Sequence, residues 1–144
     1  MDIKELLIRV LNQELQVLTQ MAYFAGIIEQ PSLKEHFLTL ALEEMAHFPI
    51  VVGCINKIDT ELSVGPFAIT PETDELKTLV ILESVEDTLI HYYEDCISPD
   101  NKIVEPIRSR LKHCLEQERT HKTEMAHLLK EAKEYLLNKQ IQNS

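Results

Sequence analysis

Glycine is scarce in this chain. Three glycines and six prolines in 144 residues leave little punctuation for a many-stranded sheet, so long helices are favoured. Cysteine is as sparse: Cys54, Cys96 and Cys114 are an odd set with no CxxC pair, which argues against a disulfide framework or a zinc-ribbon site. Basic residues are outnumbered, 14 Lys and Arg against 24 Asp and Glu, for a net charge of −10. Phosphate recognition needs clustered cations, so a nucleic-acid partner is not expected, whereas attraction of metal cations is permitted. Met1-Asp2-Ile3-Lys4-Glu5 is charged and leads straight into a helical pattern, unlike a secretory leader. No apolar run reaches the length expected of a membrane span. A cytoplasmic protein without membrane contact is the expectation.

What is present is helical periodicity. The hydrophobic fraction of 44% suits one domain over residues 1–144 with a sizeable core. A first helix is expected over about residues 2–29, with the seam Leu7, Leu11, Glu14, Leu18, Met21, Ala25 and Ile28 spaced alternately four and three apart. Gln30-Pro31-Ser32 interrupts it, and Ser32-Leu33-Lys34-Glu35 reads as a capping box with Ser32 as N-cap. A second helix follows over about residues 33–58, seamed by Phe37, Leu40, Glu44, His47, Val51, Cys54 and Ile58, with Pro49 inside it as an expected kink. Asp59 to Thr70, containing Gly65-Pro66, has no helical period. Extended, its residues span about 40 Å, the length of a whole helix, so they can return the chain and leave the second and third helices parallel. The third helix is expected over about residues 71–97, with the seam Leu76, Leu79, Glu83, Glu86, Ile90, Tyr93 and Ile97. The fourth is expected over about residues 103–137, with the seam Ile107, Leu111, Cys114, Glu118, His121, Met125, Leu128, Ala132 and Tyr135, and a frayed tail after Asn138.

The polar members of these seams carry the functional information. Glu44-Met45-Ala46-His47 and Glu118-Arg119-Thr120-His121 both read Glu-x-x-His, which puts a carboxylate and an imidazole on one face of a helix. Glu14 and Glu83 or Glu86 lie at matching heights on the other two helices. Four helices therefore direct five carboxylates and two imidazoles into one core layer. Five ionised carboxylates cannot share a core without protons, water or cations. Two divalent cations nearly cancel the charge, and oxygen-rich ligation with one imidazole per ion suits iron or manganese. A dinuclear metal site is the physical reading.

A Glu from each of two helices and a Glu-x-x-His from each of the other two, with a long crossover between the second and third, resembles the ferritin-like superfamily of dimetal carboxylate proteins. The resemblance implies an all-α four-helix bundle of up-down-down-up topology. Bacterioferritins are similar at Leu11-Asn12-Gln13-Glu14-Leu15 and Glu44-Met45-Ala46-His47. In those proteins the Met of Glu-Met-x-His can bind haem across a two-fold interface, which makes Met45 a haem candidate. Rubrerythrins resemble the chain at Glu83-Ser84-Val85-Glu86, but no rubredoxin-like cysteines follow. Manganese catalases share the helix-borne ligands. The chain ends without the fifth helix of cage-forming ferritins, so a homodimer is expected rather than a 24-subunit shell. The implied activity is oxidation of Fe(II) by dioxygen, or reduction of hydrogen peroxide, at two iron ions, with an electron donor left unidentified. Glu44 and Glu118 would bridge, His47 and His121 would each bind one ion, and Glu14 with Glu83 or Glu86 would be terminal ligands. A manganese catalase-like enzyme is the alternative within enzymes. A helical structural or binding protein with a hydrated polar layer, or with metal but no turnover, is the alternative outside them.

The remaining residues read more plainly. Tyr93, on the seam of Glu86, is expected to be a core tyrosine bonded to a carboxylate. Cys54 and Cys114 are expected to be packing residues. His36, His91, His113 and His127 fall off the seams and are expected at the surface.

Overall fold

The computed structural model describes residues 2–58 and 64–143, and those residues form four helices and no strand. The helices are α1 (Ile3–Ile27), α2 (Pro31–Lys57), α3 (Glu75–Ile97) and α4 (Glu105–Gln142). Residues 59–63 of the expected extended connection lie outside the described residues, and 64–70 are non-helical as expected.

The helix starts show which caps win. Asp2 and Glu5 form a capping box at α1, with Glu5 N–H donating to Asp2 Oδ1 at 3.0 Å. Ser32 does not cap α2. Pro31 already occupies the first helical turn, where its fixed φ is suited, and Gln30 Oε1 accepts from Leu33 N–H at 2.6 Å. The third helix starts later than Pro71 because Asp74 is the stronger cap, accepting from Lys77 N–H at 2.9 Å. The fourth continues past Asn138 to Gln142 rather than fraying. Pro49 is accommodated inside α2, which stays helical through it.

Neighbouring helices are antiparallel throughout. Between α1 and α2, the Phe24 ring packs at a tilt against Phe37, with centroids 6.3 Å apart, while Glu14 meets His47. Between α1 and α3, Gln13 Nε2 donates to Val85 O at 3.0 Å and the Arg9 guanidinium lies 3.9 Å from the centre of the Tyr92 ring. Between α3 and α4, Asp87 pairs with Lys122 and Ile97 O with Arg108. Between α2 and α4, His47 meets Gln117 and Glu43 meets His121. Helices α2 and α3 are therefore parallel, on one diagonal of an up-down-down-up bundle.

The crossover that allows this is strapped to α1 by three amides spaced four apart. Gly65 N–H donates to Asn12 Oδ1 at 2.6 Å, Gln16 Nε2 donates to Ala68 O at 2.7 Å, and Gln20 exchanges two hydrogen bonds with Thr70, each of 2.9 Å. Gly65 takes a positive φ of 71° at the turn into this strap. Gln20 is buried at 1% exposure, so Gln20→Ala removes both bonds without a replacement. It is expected to cost about 2 kcal/mol and lower Tm by roughly 4–8 °C. Differential scanning calorimetry checks this, with faster amide exchange at Thr70 as the local signature.

The core is the set of inward seams. Leu7, Leu11, Phe37, Val51, Leu82, Leu89, Leu111 and Cys114 are fully buried. The seam of α3 differs from the sequence expectation. Leu79, Leu82, Glu86, Leu89, Tyr93 and Cys96 form the buried row, leaving Leu76, Glu83 and Ile97 half-buried beside it. In α4 the last residue on the buried row is Met125, and Tyr135 is 67% exposed. The reason is length: α4 has 38 residues and α3 has 23, so at about 1.5 Å per residue the end of α4 projects beyond the bundle. Helix α2 also corrects an expectation. Its mean hydropathy reaches 1.5 over a membrane-length window, so an apolar run of spanning length does exist. That run carries Glu44 and His47 on its buried face, where they meet α1 and α4.

Candidate metal centre

Four glutamates and two histidines meet in the middle of the bundle. Each helix contributes by the same rule: its apolar seam is interrupted near the middle, by one glutamate in α1 and α3 and by a glutamate and a histidine three residues apart in α2 and α4, and the helix turn aims these side chains inward with their neighbours. Glu14, Glu44, Glu86 and Glu118 are all within 2% of full burial, His47 is fully buried and His121 is 3% exposed.

The six side chains form two groups of potential ligands, Glu14, Glu44, His47 and Glu118, and Glu44, Glu86, Glu118 and His121, with the ligand atoms of each group within 4.8 Å of one another. Glu44 and Glu118 belong to both. His47 Nδ1 lies 2.6 Å from Glu118 Oε1, 3.2 Å from Glu14 Oε1 and 3.6 Å from Glu44 Oε2. His121 Nδ1 lies 2.8 Å from Glu44 Oε1, 3.6 Å from Glu118 Oε2 and 3.7 Å from Glu86 Oε1. The rings lie nearly parallel, with centroids 6.1 Å apart. The site has an approximate two-fold symmetry that exchanges α1 with α3 and α2 with α4.

The electrostatics are those of an overfilled anionic layer. Burial, followed by the charges of Glu44 and Glu118, pushes the Glu14 carboxyl well up. Burial and the nearby Glu118 do the same to Glu86. Burial also works against a charged Glu44, but hydrogen bonds from the Glu14 carboxyl and from both imidazoles outweigh it and hold Glu44 well below the usual carboxylate range. Burial opposes charging of the two imidazoles. Hydrogen bonds to Glu118, Glu14 and Glu44 overcome it at His47, those to Glu118, Glu44 and Glu86 overcome it at His121, and both are held far above their ordinary value. Protons on the two imidazoles and on Glu14 and Glu86 thus offset the layer's negative charge when no cation does so.

The expected site residues are mostly, but not all, brought together. Glu14, Glu44, His47, Glu86, Glu118 and His121 converge. Glu83 does not: it is half-buried, one residue off the buried row of α3, and its charge is felt by Lys122 on the outside of α4. Four buried carboxylates, not five, therefore converge in this layer. Met45 is outside both groups and 55% exposed on the outer face of α2. Tyr93 is fully buried and its hydroxyl donates to Glu14 Oε1. Cys54, Cys96 and Cys114 are free and buried. Burial pushes the Cys96 thiol up to about 12 and the Cys114 thiol up to about 11, so neither supplies a thiolate at neutral pH. His91, His113 and His127 are exposed, but His36 is half-buried and its Nε2 has no hydrogen-bond partner.

No protein-family model matches the chain, and no curated protein does. A solved structure does: a dodecameric thioferritin from the bacterial domain, the bacterioferritin-related protein of Bacteroides fragilis. The similarity covers 96% of this chain and 92% of that one, with a TM-score of 0.83 at 18% sequence identity. The fold is ferritin-like. At that identity the likeness fixes the path of the backbone, and the chemistry must come from this chain's own side chains.

Those side chains suit a pair of metal ions. In this ferritin-like bundle, six buried carboxylate oxygens find no well-aligned donor: Glu14 Oε2, Glu44 Oε2, and both oxygens of Glu86 and Glu118. Orphaned buried acceptors are costly, and cations would satisfy them. Four carboxylates also balance the charge of two divalent ions, and one imidazole with several carboxylates per ion suits iron or manganese. Around this set the ferritin-like fold places two residues that the sequence reading missed. His47 Nε2 meets Gln117 Oε1, and His121 Nε2 meets Glu43 Oε2 at 2.5 Å. Each lies immediately before a converging glutamate, so the repeated unit is Glu43-Glu44-x-x-His47 and Gln117-Glu118-x-x-His121. That repeat, one residue longer than the one first apparent, was the signal available.

Proposed function

We propose that this chain binds two iron ions per bundle and oxidises Fe(II) with dioxygen or hydrogen peroxide. The observation that supports the reading is the sharing of Glu44 and Glu118 between two otherwise separate ligand groups, which is the arrangement two bridging carboxylates need. Glu14 and His47 would complete one position, and Glu86 and His121 the other. When bound, the two ions supply one electron each. Two Fe(II) held there would supply the two electrons that, with two protons, reduce one hydrogen peroxide to two waters. The chain's own part is to hold the pair, to orient both imidazoles through Gln117 and Glu43, to fix Glu14 through the Tyr93 hydroxyl, and to keep bulk water from a layer that is almost wholly buried. Manganese fits the same donors and is the second metal to test. Haem at Met45 would need a second copy of the chain to face that exposed side chain.

A homo-oligomer accompanies this reading. Leu38, Leu42 and Met45 are 50%, 67% and 55% exposed, and their spacing of four and three places them on one outer face of α2. The similar thioferritin is dodecameric, so an assembly larger than the expected homodimer is included. Free, buried thiols suit a reducing, cytoplasmic compartment.

The experiment that tests the function loads metal-stripped protein with Fe(II) under argon and mixes it rapidly with oxygen or with peroxide. Near-ultraviolet Fe(III) absorbance is expected to grow much faster than for Fe(II) in buffer, with one peroxide consumed for every two Fe(II). Oxidation no faster than the buffer control with either oxidant contradicts the proposal. The faster oxidant then distinguishes ferroxidase from peroxidase behaviour.

A further inference from the structure

The approximate symmetry of the site breaks at the residues behind it. We propose that the two metal positions are unequal, and that the Glu86–His121 position is the tighter because Glu43 stands behind its imidazole while the neutral amide of Gln117 stands behind the other. The inference rests on the dinuclear reading above.

Two independent contacts point the same way. The first is behind the rings. Both imidazoles turn Nδ1 to the carboxylate layer and Nε2 outward. A metal on Nδ1 draws electron density from the ring and makes the Nε2–H more positive. A carboxylate at Nε2 stabilises that developing charge, whereas an amide oxygen offers only a dipole. Glu43 is half exposed, at 49%, so water screens part of this advantage and the difference is a matter of degree. The second contact is at the terminal carboxylates. Glu14 Oε1 already accepts the buried Tyr93 hydroxyl, which leaves one oxygen without a close donor, while neither oxygen of Glu86 is so engaged, the nearest N–H being His121 Nδ1 at 3.7 Å from Oε1. Glu86 therefore offers more free donor capacity than Glu14. Glu43 and Gln117 act through the histidines and are positioning residues. The consequence is ordered loading, with the Glu86–His121 position filling first.

Repulsion between two cations would also separate a first from a second affinity, so the test isolates each position. Glu14→Ala cripples one position and Glu86→Ala the other. Metal-stripped protein with each background is titrated with Co(II), whose visible bands report occupancy without any turnover. The Glu14→Ala protein is expected to bind its remaining Co(II) at least about tenfold more tightly than the Glu86→Ala protein. Adding Glu43→Gln is expected to weaken Co(II) roughly 10–100-fold in the Glu14→Ala background and to leave the Glu86→Ala background nearly unchanged. Adding Gln117→Glu to the Glu86→Ala background is expected to tighten binding. Glu43 and Gln117 lie at the rim of the site, and unchanged far-ultraviolet circular dichroism verifies that these variants fold. Equal affinities in the two backgrounds, or an equal Glu43→Gln loss in both, overturn the inequality while the dinuclear reading stands. Absence of saturable Co(II) binding in the unmodified chain overturns both.

Discussion

Glu44→Ala or Glu118→Ala is expected to abolish binding at both metal positions, whereas Glu14→Ala or Glu86→Ala empties or weakens only one. The asymmetry follows from membership: Glu44 and Glu118 belong to both ligand groups, Glu14 and Glu86 to one each. Losing a shared carboxylate removes a donor from both positions and leaves the two cations less well neutralised, so each position should lose more than about 100-fold in affinity, beyond what removal of a residue behind a ligand costs. The variants should still fold. Glu44 and Glu118 are buried at 1% and 0% exposure; deleting one leaves a small cavity and removes a carboxylate partner of the imidazoles, but Glu14 and Glu86 remain beside them to ionise in its place. Elemental analysis of dialysed protein, with far-ultraviolet circular dichroism as the folding control, reads the result. Full occupancy in either Glu44→Ala or Glu118→Ala would show that the shared carboxylates do not bridge.

The second large effect is the competition between metal ions and protons. In the metal-free layer, His47, His121, Glu14 and Glu86 all have their proton affinities raised, by the neighbouring carboxylates for the imidazoles and chiefly by burial for the acids. Two divalent ions must displace those protons. Protons are therefore expected to be released on loading, and the apparent affinity should fall as the pH is lowered. The sign for stability follows from the same shifts. A group whose folded value is raised stabilises the fold fully below its unfolded value, and that contribution is lost as pH rises towards the folded value. The metal-free protein should thus lose stability as pH climbs above the ordinary carboxylate and imidazole ranges. Metal acts in the opposite sense, because binding improves as protons leave. At a free metal concentration about 100 times the dissociation constant, each position adds about 2.7 kcal/mol, and two positions should raise Tm by roughly 10–20 °C near neutral pH. Calorimetry with and without Mn(II) across the pH range, paired with a pH-stat titration, measures both parts. A Tm unchanged by saturating metal contradicts the account.

The bundle was legible because its signals are local and repeated. Alternating spacings of four and three mark a helix face whatever surrounds it, and four such faces separated by one long and two short breaks leave few ways to assemble. The six converging site residues were legible for a related reason: an acid or imidazole on an otherwise apolar row is conspicuous. Where the reading slipped, the deciding information was tertiary. Glu83 and Glu86 are both within one residue of the α3 face, and only packing against α1 and α4 shows that Leu82 and Glu86, not Glu83, lie on the buried row. Glu43 and Gln117 look like exposed helix residues in the sequence, and become partners of the imidazoles only when α2 and α4 are set antiparallel. The stripe Asn12, Gln16 and Gln20 likewise acquires its meaning from a crossover that has no periodicity of its own. The helix starts moved because neighbouring caps compete within a few tenths of a kcal/mol.

The central claim is that one chain holds two metal ions on four carboxylates and two imidazoles. The most direct measurement is an anaerobic Fe(II) titration of the metal-stripped protein, with bound and free iron counted at each addition. Two tightly held ions per chain are predicted, falling to none in Glu44→Ala. No saturable binding, or a single ion indifferent to Glu44, would contradict the dinuclear site and leave the inward carboxylates of this bundle as a protonated polar layer.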